Sequence, residues 1–279
     1  MSAAVSAISS YLIGVVCRLG WQLFQLFGVT CVLAFLLQWS GRRIRSFGFS
    51  IFGKRYWYLV APGVACHEAG HALGCLLTGT KLVKMVPFCP EEDGTLGFVA
   101  HERRKGFFGG WANFIIATGP LWFGGIVIAL LTSIFSSHVY MASYQEYFSD
   151  GFVPDVVTYG IGMIKAVVNA FSTVVGGACL DWQFALWLYM SFCIASEIGL
   201  SKVDILHMKQ GFGWLLCLFL LLNVIPAIGR GVSALIYVLL PWIFRLQVLM
   251  LFSLIVNLIF VMLFPLICRV IHFKLNNRH

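Results

Sequence analysis

APGVACHEAGHALGCLL, residues 61–77, places His67, Glu68 and His71 in a run that is otherwise apolar enough for the interior of a membrane. An ionisable side chain at the centre of a membrane-spanning helix costs about 2.5–3.5 kcal/mol on insertion scales. Three polar side chains so close together therefore indicate a functional site rather than ordinary helix packing.

The composition of the whole chain is that of a membrane protein. Of its 279 residues, 60% are hydrophobic and 11% are charged, whereas soluble domains average about 45–50% and 25%. The nine cysteines are scattered and contain no Cys-x-x-Cys pair, so the sequence indicates neither a disulfide framework nor a thiolate metal site. We expect a single membrane-embedded unit.

The net charge of +8 lies in short basic clusters beside apolar runs, at residues 42–45, 54–55, 103–105 and in the C-terminal tail. Basic residues in such positions typically contact lipid headgroups on the cytoplasmic side. The pattern favours the lipid bilayer as a partner and gives no indication of nucleic-acid binding.

Apolar runs of about 20 residues, the length that crosses the hydrocarbon layer, predict six membrane spans. They are residues 20–39, 57–79, 109–135, 183–200, 211–243 with a bend at Pro226, and 246–268. Residues 156–179 have the length of a seventh span, but Lys165 and Asn169 also allow a position in the interface. Residues 3–17 are expected to extend the first span or to form an interfacial helix. The predicted fold is an all-α polytopic membrane protein with six or seven transmembrane helices.

Residues 81–102 depart from the helical pattern. The strand-like pieces KLVKMVPF and TLGFVAHE flank CPEEDG, whose Asp-Gly pair is a turn signal, so a small β-hairpin is expected after the histidine-containing helix. Unpaired backbone amides are costly at membrane depth, so this hairpin must be buried in protein or border a water-filled cavity.

Three regions are expected along the chain. Residues 1–56 would contain an N-terminal transmembrane helix and a basic loop at 41–56. Residues 57–215 would form the membrane-embedded core around the histidines. Residues 216–279 would supply the C-terminal helices and a basic tail.

His67 and His71 are four residues apart, which puts both imidazoles on one face of a helix, close enough to hold one ion. Glu68 can approach the open position of that ion without being a ligand. This HExxH arrangement is typical of zinc proteases, in which the two histidines bind zinc and the glutamate is the general base. We therefore predict Zn²⁺ as the cofactor, His67 and His71 as metal ligands, and Glu68 as the catalytic base.

A catalytic zinc site needs a third protein ligand. ASEIGLSKVDILHMKQG, residues 195–211, groups Glu197, Asp204 and His207 between two apolar runs. Ser201 and Asp204 also have the form of a capping box, which predicts a helix N-terminus there, and capping can coexist with metal binding at Asp204. Glu197 and His207 are expected to support the ligands, although either can also be the third ligand. The other candidates are Glu91, Glu92, Asp93, His101 and Glu102 in the hairpin, Glu146, Asp150 and Asp155 in an acidic loop, and Asp181.

HEAGHALGCLLTGTK, the following hairpin, ATGPLWFGG at 117–125 and the later LSKVD together resemble the intramembrane zinc metalloproteases of the site-2 protease type. The match is closest to a compact bacterial branch whose third ligand lies in a Ser-x-x-Asp context. It covers residues 57 to about 215 and implies zinc bound by His67, His71 and Asp204, with Glu68 as base. It departs from the better-known members at the third ligand, where they carry Asn-Pro-x-Asp-Gly or Leu-Asp-Gly and this chain has LSKVDIL.

The resemblance implies a membrane metalloendopeptidase of the bacterial cytoplasmic (inner) membrane, which would cleave membrane-spanning or membrane-anchored protein substrates in the manner of regulated intramembrane proteolysis. An extended substrate is expected to add as a strand to the hairpin edge. One alternative is a metal-ion transporter or metal-binding scaffold, in which Glu68 is a further ligand. The other is a membrane zinc protease with Glu197 as the third ligand.

Overall fold

The computed structural model describes residues 2–102, 106–135, 144–148, 156–176 and 182–276, and these residues are almost entirely helical. The helices are α1 (Ser2–Leu23), α2 (Val29–Phe52), α3 (Arg55–Leu59), α4 (Ala61–Leu77), α5 (Gly106–Phe135), α6 (Val156–Gly176), α7 (Trp182–Glu197), α8 (Lys202–Val224) and α9 (Pro226–Asn276). Two strands, β1 (Leu82–Val86) and β2 (Phe98–His101), separate α4 from α5. The predicted all-α class is confirmed.

The helices α1 and α2 are continuous, because a π-helical turn at Phe24–Gly28 joins them without a break. Residues 3–17 therefore extend the helix that contains the first predicted span, as one of the two predictions for them expected. Such π-helical turns insert one extra residue into a helical turn without ending the helix.

The prediction of a basic loop at residues 41–56 is wrong over most of that range, since α2 continues to Phe52. Gly53, with a φ of 55°, caps the helix. Ile44 and Gly48 of this extension are buried, whereas the arginines beside them are exposed. One apolar face is enough to keep a basic segment helical when that face packs on the core.

Pro226 separates two helices, which corrects the predicted bend. Helix α8 ends at Val224 and Ile225 is extended, with a ψ of 114°. Pro226 then begins α9, where its missing N–H would have had no helical partner.

The predicted boundary between spans 211–243 and 246–268 is also wrong, because α9 is continuous there. The guanidinium of Arg245 lies over the ring of Trp242, 5.4 Å from its centroid, so the charge is accommodated on the helix surface. The neighbouring Phe244 and Val248 are buried in the core, which keeps this part of the helix packed.

Four stretches of the described residues are long and apolar enough to cross a membrane, namely Val5–Phe52, Phe108–Phe135, Lys202–Val224 and Pro226–Leu263. This is the architecture of a membrane protein. Helices α4 and α7 have 17 and 16 residues, fewer than the roughly 20 that span the hydrocarbon layer. The segment 156–176 is helical, and the count of six or seven spans stays a prediction.

Helix α4 packs between α5 and α7, with the strands beside it. Glycines allow these backbones to approach closely: a Cβ atom at Gly70 would lie 2.6 Å from Cα of Pro120, and one at Gly74 would lie 2.8 Å from Cα of Ile116. On the opposite side, Gly63 lies against the carbonyl group of Cys193 on α7. Small residues in this role are typical of helices that pack within membranes.

The predicted β-hairpin within residues 81–102 is confirmed. Strands β1 and β2 are antiparallel, and the turn uses Gly94 with a φ of 88°. The backbone amide of Thr95 donates to Oδ1 of Asp93 at 2.8 Å, and this hydrogen bond lowers the pKa of the Asp93 carboxyl. Leu96, just after the turn, belongs to a buried cluster with Val64 of α4, so this part of the hairpin packs over the histidine-containing helix.

Candidate metal centre

His67, His71 and Asp204 lie together, with their ligand atoms within 4.8 Å of one another. The two histidine Nε2 atoms are 3.1 Å apart. Nε2 of His71 is 3.3 Å from Oδ1 of Asp204, and Nε2 of His67 is 3.8 Å from Oδ2. Donor atoms bound tetrahedrally at about 2.0–2.1 Å from zinc are roughly 3.3 Å from one another. These three side chains are therefore spaced to share one metal ion.

The second nitrogen of each imidazole faces a backbone carbonyl. Nδ1 of His67 is 2.8 Å from the carbonyl oxygen of Glu197 on α7, and Nδ1 of His71 is 2.8 Å from that of Ile116 on α5. A carbonyl oxygen only accepts hydrogen bonds, so each Nδ1 must carry the proton. In the neutral rings each Nε2 then presents a lone pair, which is the form that binds metal and the usual arrangement behind a histidine ligand.

A cation would be stabilised in the space between these groups. Two Nε2 lone pairs and a carboxylate meet where His71 and Asp204 are 9% and 7% exposed. Acceptors gathered in a poorly solvated place repel one another unless a positive charge lies between them. Two imidazole nitrogens and one carboxylate oxygen also form a ligand set that zinc accepts in catalytic sites.

Asp204 reaches the cluster from the first turn of α8. Its Oδ2 accepts a hydrogen bond from the Ser201 amide at 2.8 Å, and its own amide donates to Oγ of Ser201 at 3.1 Å. The predicted capping box is confirmed. Because Oδ1 of the same carboxylate faces His71, one side chain both begins α8 and joins the cluster.

Glu68 is buried, at 8% exposed, and is not one of the three clustered ligands. A Cβ atom at Gly97 would lie 3.0 Å from its Cγ, so the residue before β2 contacts the Glu68 side chain. The hairpin therefore borders the cluster on the side of the predicted base.

The Glu197 carboxylate points to α2, where its Oε2 is 3.1 Å from Nη1 of Arg45. Its contribution to the cluster is the backbone carbonyl that accepts from His67. His207 lies half-buried on α8 and is not one of the three clustered residues. The structure thus brings together three of the five residues proposed around the metal, with Glu197 supporting one of them through its main chain.

The remaining predicted candidates lie elsewhere. Glu91, Glu92, Asp93, Glu102 and Glu146 are exposed, and His101 is half-buried at the end of β2. Nζ of Lys81 donates to Oε1 of Glu102 at 2.6 Å. Asp150, Asp155 and Asp181 lie outside the described residues.

Several parts of this site were not predicted: the carbonyls of Ile116 and Glu197, the ion pair of Arg45, and the position of Gly97. Every residue has a backbone carbonyl, so a sequence does not indicate which carbonyls will accept hydrogen bonds from the histidines. One usable signal was present, since Gly70 and Gly74 form a Gly-x-x-x-Gly pattern on α4, which indicates close approach of another helix.

Comparison with protein-family models, with curated proteins and with solved structures gave no match. The likeness to the site-2 protease type therefore stays a prediction that depends on the residues described above.

Proposed function

We propose that this protein is a zinc-dependent intramembrane endopeptidase of the site-2 protease type. The observation that supports this most directly is the hydrogen bonding of the two histidines. Carbonyls of α5 and α7 hold both Nδ1–H groups at 2.8 Å, so both Nε2 lone pairs face the Asp204 carboxylate. Two histidines of an HExxH helix with a distant carboxylate are the ligand pattern of hydrolytic zinc sites.

The residues present fit zinc, which His67, His71 and Asp204 would hold. A zinc ion in such a site supplies Lewis acidity toward a peptide carbonyl and activates water for hydrolysis. Glu68 would accept the proton of the attacking water and deliver it to the leaving amine. Its carboxylate is poorly solvated, and a general base that is shielded from bulk water keeps its proton within the site.

The hairpin supplies a place for the substrate backbone. A transmembrane helix hides its carbonyls in its own hydrogen bonds, so it must unwind before cleavage. An extended segment would pair with the edge of the sheet, where Leu82 and Val83 of β1 are 41% and 62% exposed. Gly97 connects this sheet to Glu68. Substrates would accordingly be membrane-spanning or membrane-anchored proteins.

Glu68→Gln tests the proposal. The amide has the shape of the carboxylate but cannot take a proton, so cleavage should fall by roughly 10²–10⁴-fold while bound zinc is unchanged. The probe is a tagged fusion with one apolar span of about 20 residues that carries glycine and proline near its centre, reconstituted with the zinc-loaded protein. Cleavage is followed by the size of the tagged fragment, and zinc by elemental analysis.

The same variant separates the protease from a metal carrier. If Glu68 is a further ligand for transported metal, Glu68→Gln should lower zinc content, and the wild-type protein should move zinc across sealed vesicles without cutting the fusion. That combination would overturn the proposed protease function.

A further inference from the structure

A cavity of about 730 Å³ lies among α2, α5, α8 and α9. All four stretches that are able to cross a membrane contribute to it. It shares two walls with the metal centre, since Ile115 and Thr118 flank the Ile116 carbonyl that holds His71, and Ile205 follows Asp204. At one end the ring of Phe27 makes edge contacts with two other phenylalanines of the lining.

We infer that this cavity binds one acyl chain of an anionic phospholipid from the surrounding bilayer. The lining runs from Leu26 of the π-helical turn to Gln38 of α2. This is a length of roughly 18 Å at about 1.5 Å per residue, which is close to the roughly 15 Å of one hydrocarbon leaflet.

The volume is sufficient for the proposed occupant. About 730 Å³ over a length of roughly 18 Å leaves room for a single extended hydrocarbon chain.

The polar groups of the wall are already used within the protein, which disfavours an unwound peptide. Oγ1 of Thr30 accepts from Gln247 at 2.9 Å, Gln38 donates to the Leu200 carbonyl, and Thr118 donates to the Phe114 carbonyl at 2.8 Å. An extended peptide would bury its N–H and C=O groups with few partners, at a cost of several kcal/mol per group. A hydrocarbon chain has no such groups.

The one charged side chain in the lining indicates which lipid headgroup the site would favour. Among the described residues that line the cavity, Lys209 carries the only charge, and its side chain is exposed at the rim. Cys31 and Phe35 of α2 are also both lining and exposed, so the cavity is reached from the lipid-facing side of this helix. An acyl chain inserted there would place its phosphate near Lys209, with an attraction typical of a basic residue at a membrane surface.

The experiment compares paired variants reconstituted in vesicles of equal parts phosphatidylglycerol and phosphatidylcholine, then extracted in mild detergent for native mass spectrometry. Cys31→Trp fills the cavity, and Val32→Trp adds the same ring to a neighbouring residue that is 59% exposed and outside the lining. Lys209→Gln removes the rim charge, and Lys202→Gln removes an exposed charge from the start of the same helix.

The wild-type protein and Val32→Trp should retain one phosphatidylglycerol per chain, and Cys31→Trp should retain none. Lys209→Gln should lower the preference for phosphatidylglycerol over phosphatidylcholine roughly fivefold, whereas Lys202→Gln should leave it unchanged. Monodisperse elution and thermal unfolding establish whether each variant is folded. If Cys31→Trp does not fold, the lipid preference of Lys209→Gln still tests the inference.

Three results would overturn the inference: unchanged lipid retention in Cys31→Trp, equal retention of the two lipids by the wild-type protein, or a co-purifying peptide in place of lipid. None of these measurements involves proteolysis, so the lipid site and the proposed protease function are tested independently of each other.

Discussion

The carboxylate of Asp204 caps α8 and also faces a histidine of the cluster. Its Oδ2 accepts the Ser201 amide at 2.8 Å, and its Oδ1 lies 3.3 Å from Nε2 of His71. A carboxylate offers about four lone-pair directions, so the capping bond leaves Oδ1 available to a metal ion. The two roles can be separated because Ser201 takes part in only the first.

Ser201→Ala should lower the free energy of unfolding by about 1 kcal/mol, the usual cost of losing an N-cap side chain, while zinc content stays at the wild-type level. Asp204→Ala should lose both the cap and the bound zinc, because only two protein ligands remain. Chemical unfolding and elemental analysis of the two purified variants give the comparison.

Glu197→Ala is the control for the alternative third ligand. It removes the carboxylate that pairs with Arg45 but leaves the backbone carbonyl that accepts from His67, so zinc should be retained. Zinc lost from Glu197→Ala and kept by Asp204→Ala would contradict the assignment of Asp204.

At the scale of secondary-structure elements, the hairpin and α4 act together. Gly97 has no room for a side chain, since a Cβ atom there would lie 2.8 Å from the Pro87 carbonyl oxygen and 3.0 Å from Cγ of Glu68. The carbonyl oxygen of Val86 would be equally close, at 2.9 Å, so the hairpin backbone would have to shift at this point, and the Glu68 side chain in contact with it would be displaced as well. The glycine thus fixes the distance between the sheet and the proposed base.

Gly97→Ala should reduce cleavage of the single-span fusion by roughly 10- to 100-fold, because displacement of a catalytic group by about 1 Å has effects of this size. Zinc content should not change, as Glu68 is not a clustered ligand. Gly94→Ala is the matched control: its Cβ atom would meet nothing within 4 Å, and only its φ of 88° resists the change. Equal losses of activity in both variants would indicate general damage to the hairpin.

At the scale of the whole molecule, the cluster of His67, His71 and Asp204 joins elements distant in the chain. His67 and His71 belong to α4 and Asp204 to α8, while their supporting carbonyls come from α5 and α7. Four helices are therefore held around one point. An ion bound there would stabilise the folded protein as a whole, since an unfolded chain does not keep these ligands together.

Removal of metal with a chelator should lower the unfolding temperature by roughly 10 °C, the shift expected for a ligand present at about 1,000 times its dissociation constant. Added zinc should restore it. Asp204→Ala should show neither the loss nor the recovery, and a similar response in that variant would contradict metal binding at this cluster. Differential scanning fluorimetry in detergent measures the unfolding temperature of the chelated protein, of the protein with zinc restored, and of Asp204→Ala.

Local patterns in the sequence were sufficient for several features. The HExxH spacing placed both histidines on one helix face, Asp-Gly with its flanking strands predicted the hairpin, and Ser201 with Asp204 predicted the start of α8. Each depends on residues within a few positions of one another. Predictions that used charge as a boundary were wrong at residues 41–52 and at Arg245, because an exposed charge does not end a helix whose other face is buried.

The sequence by itself determined a helical protein of the membrane type, in which one helix carries two histidines and a glutamate at the spacing of a metal-binding motif. Only the tertiary structure decided that Asp204 joins the histidines, that Ile116 and Glu197 orient them, and that the Glu197 carboxylate turns to Arg45. The physical reason is that helix periodicity fixes neighbours along one element, whereas contacts between elements depend on how closely their backbones approach. Here that distance is set by Gly63, Gly70 and Gly74 on α4.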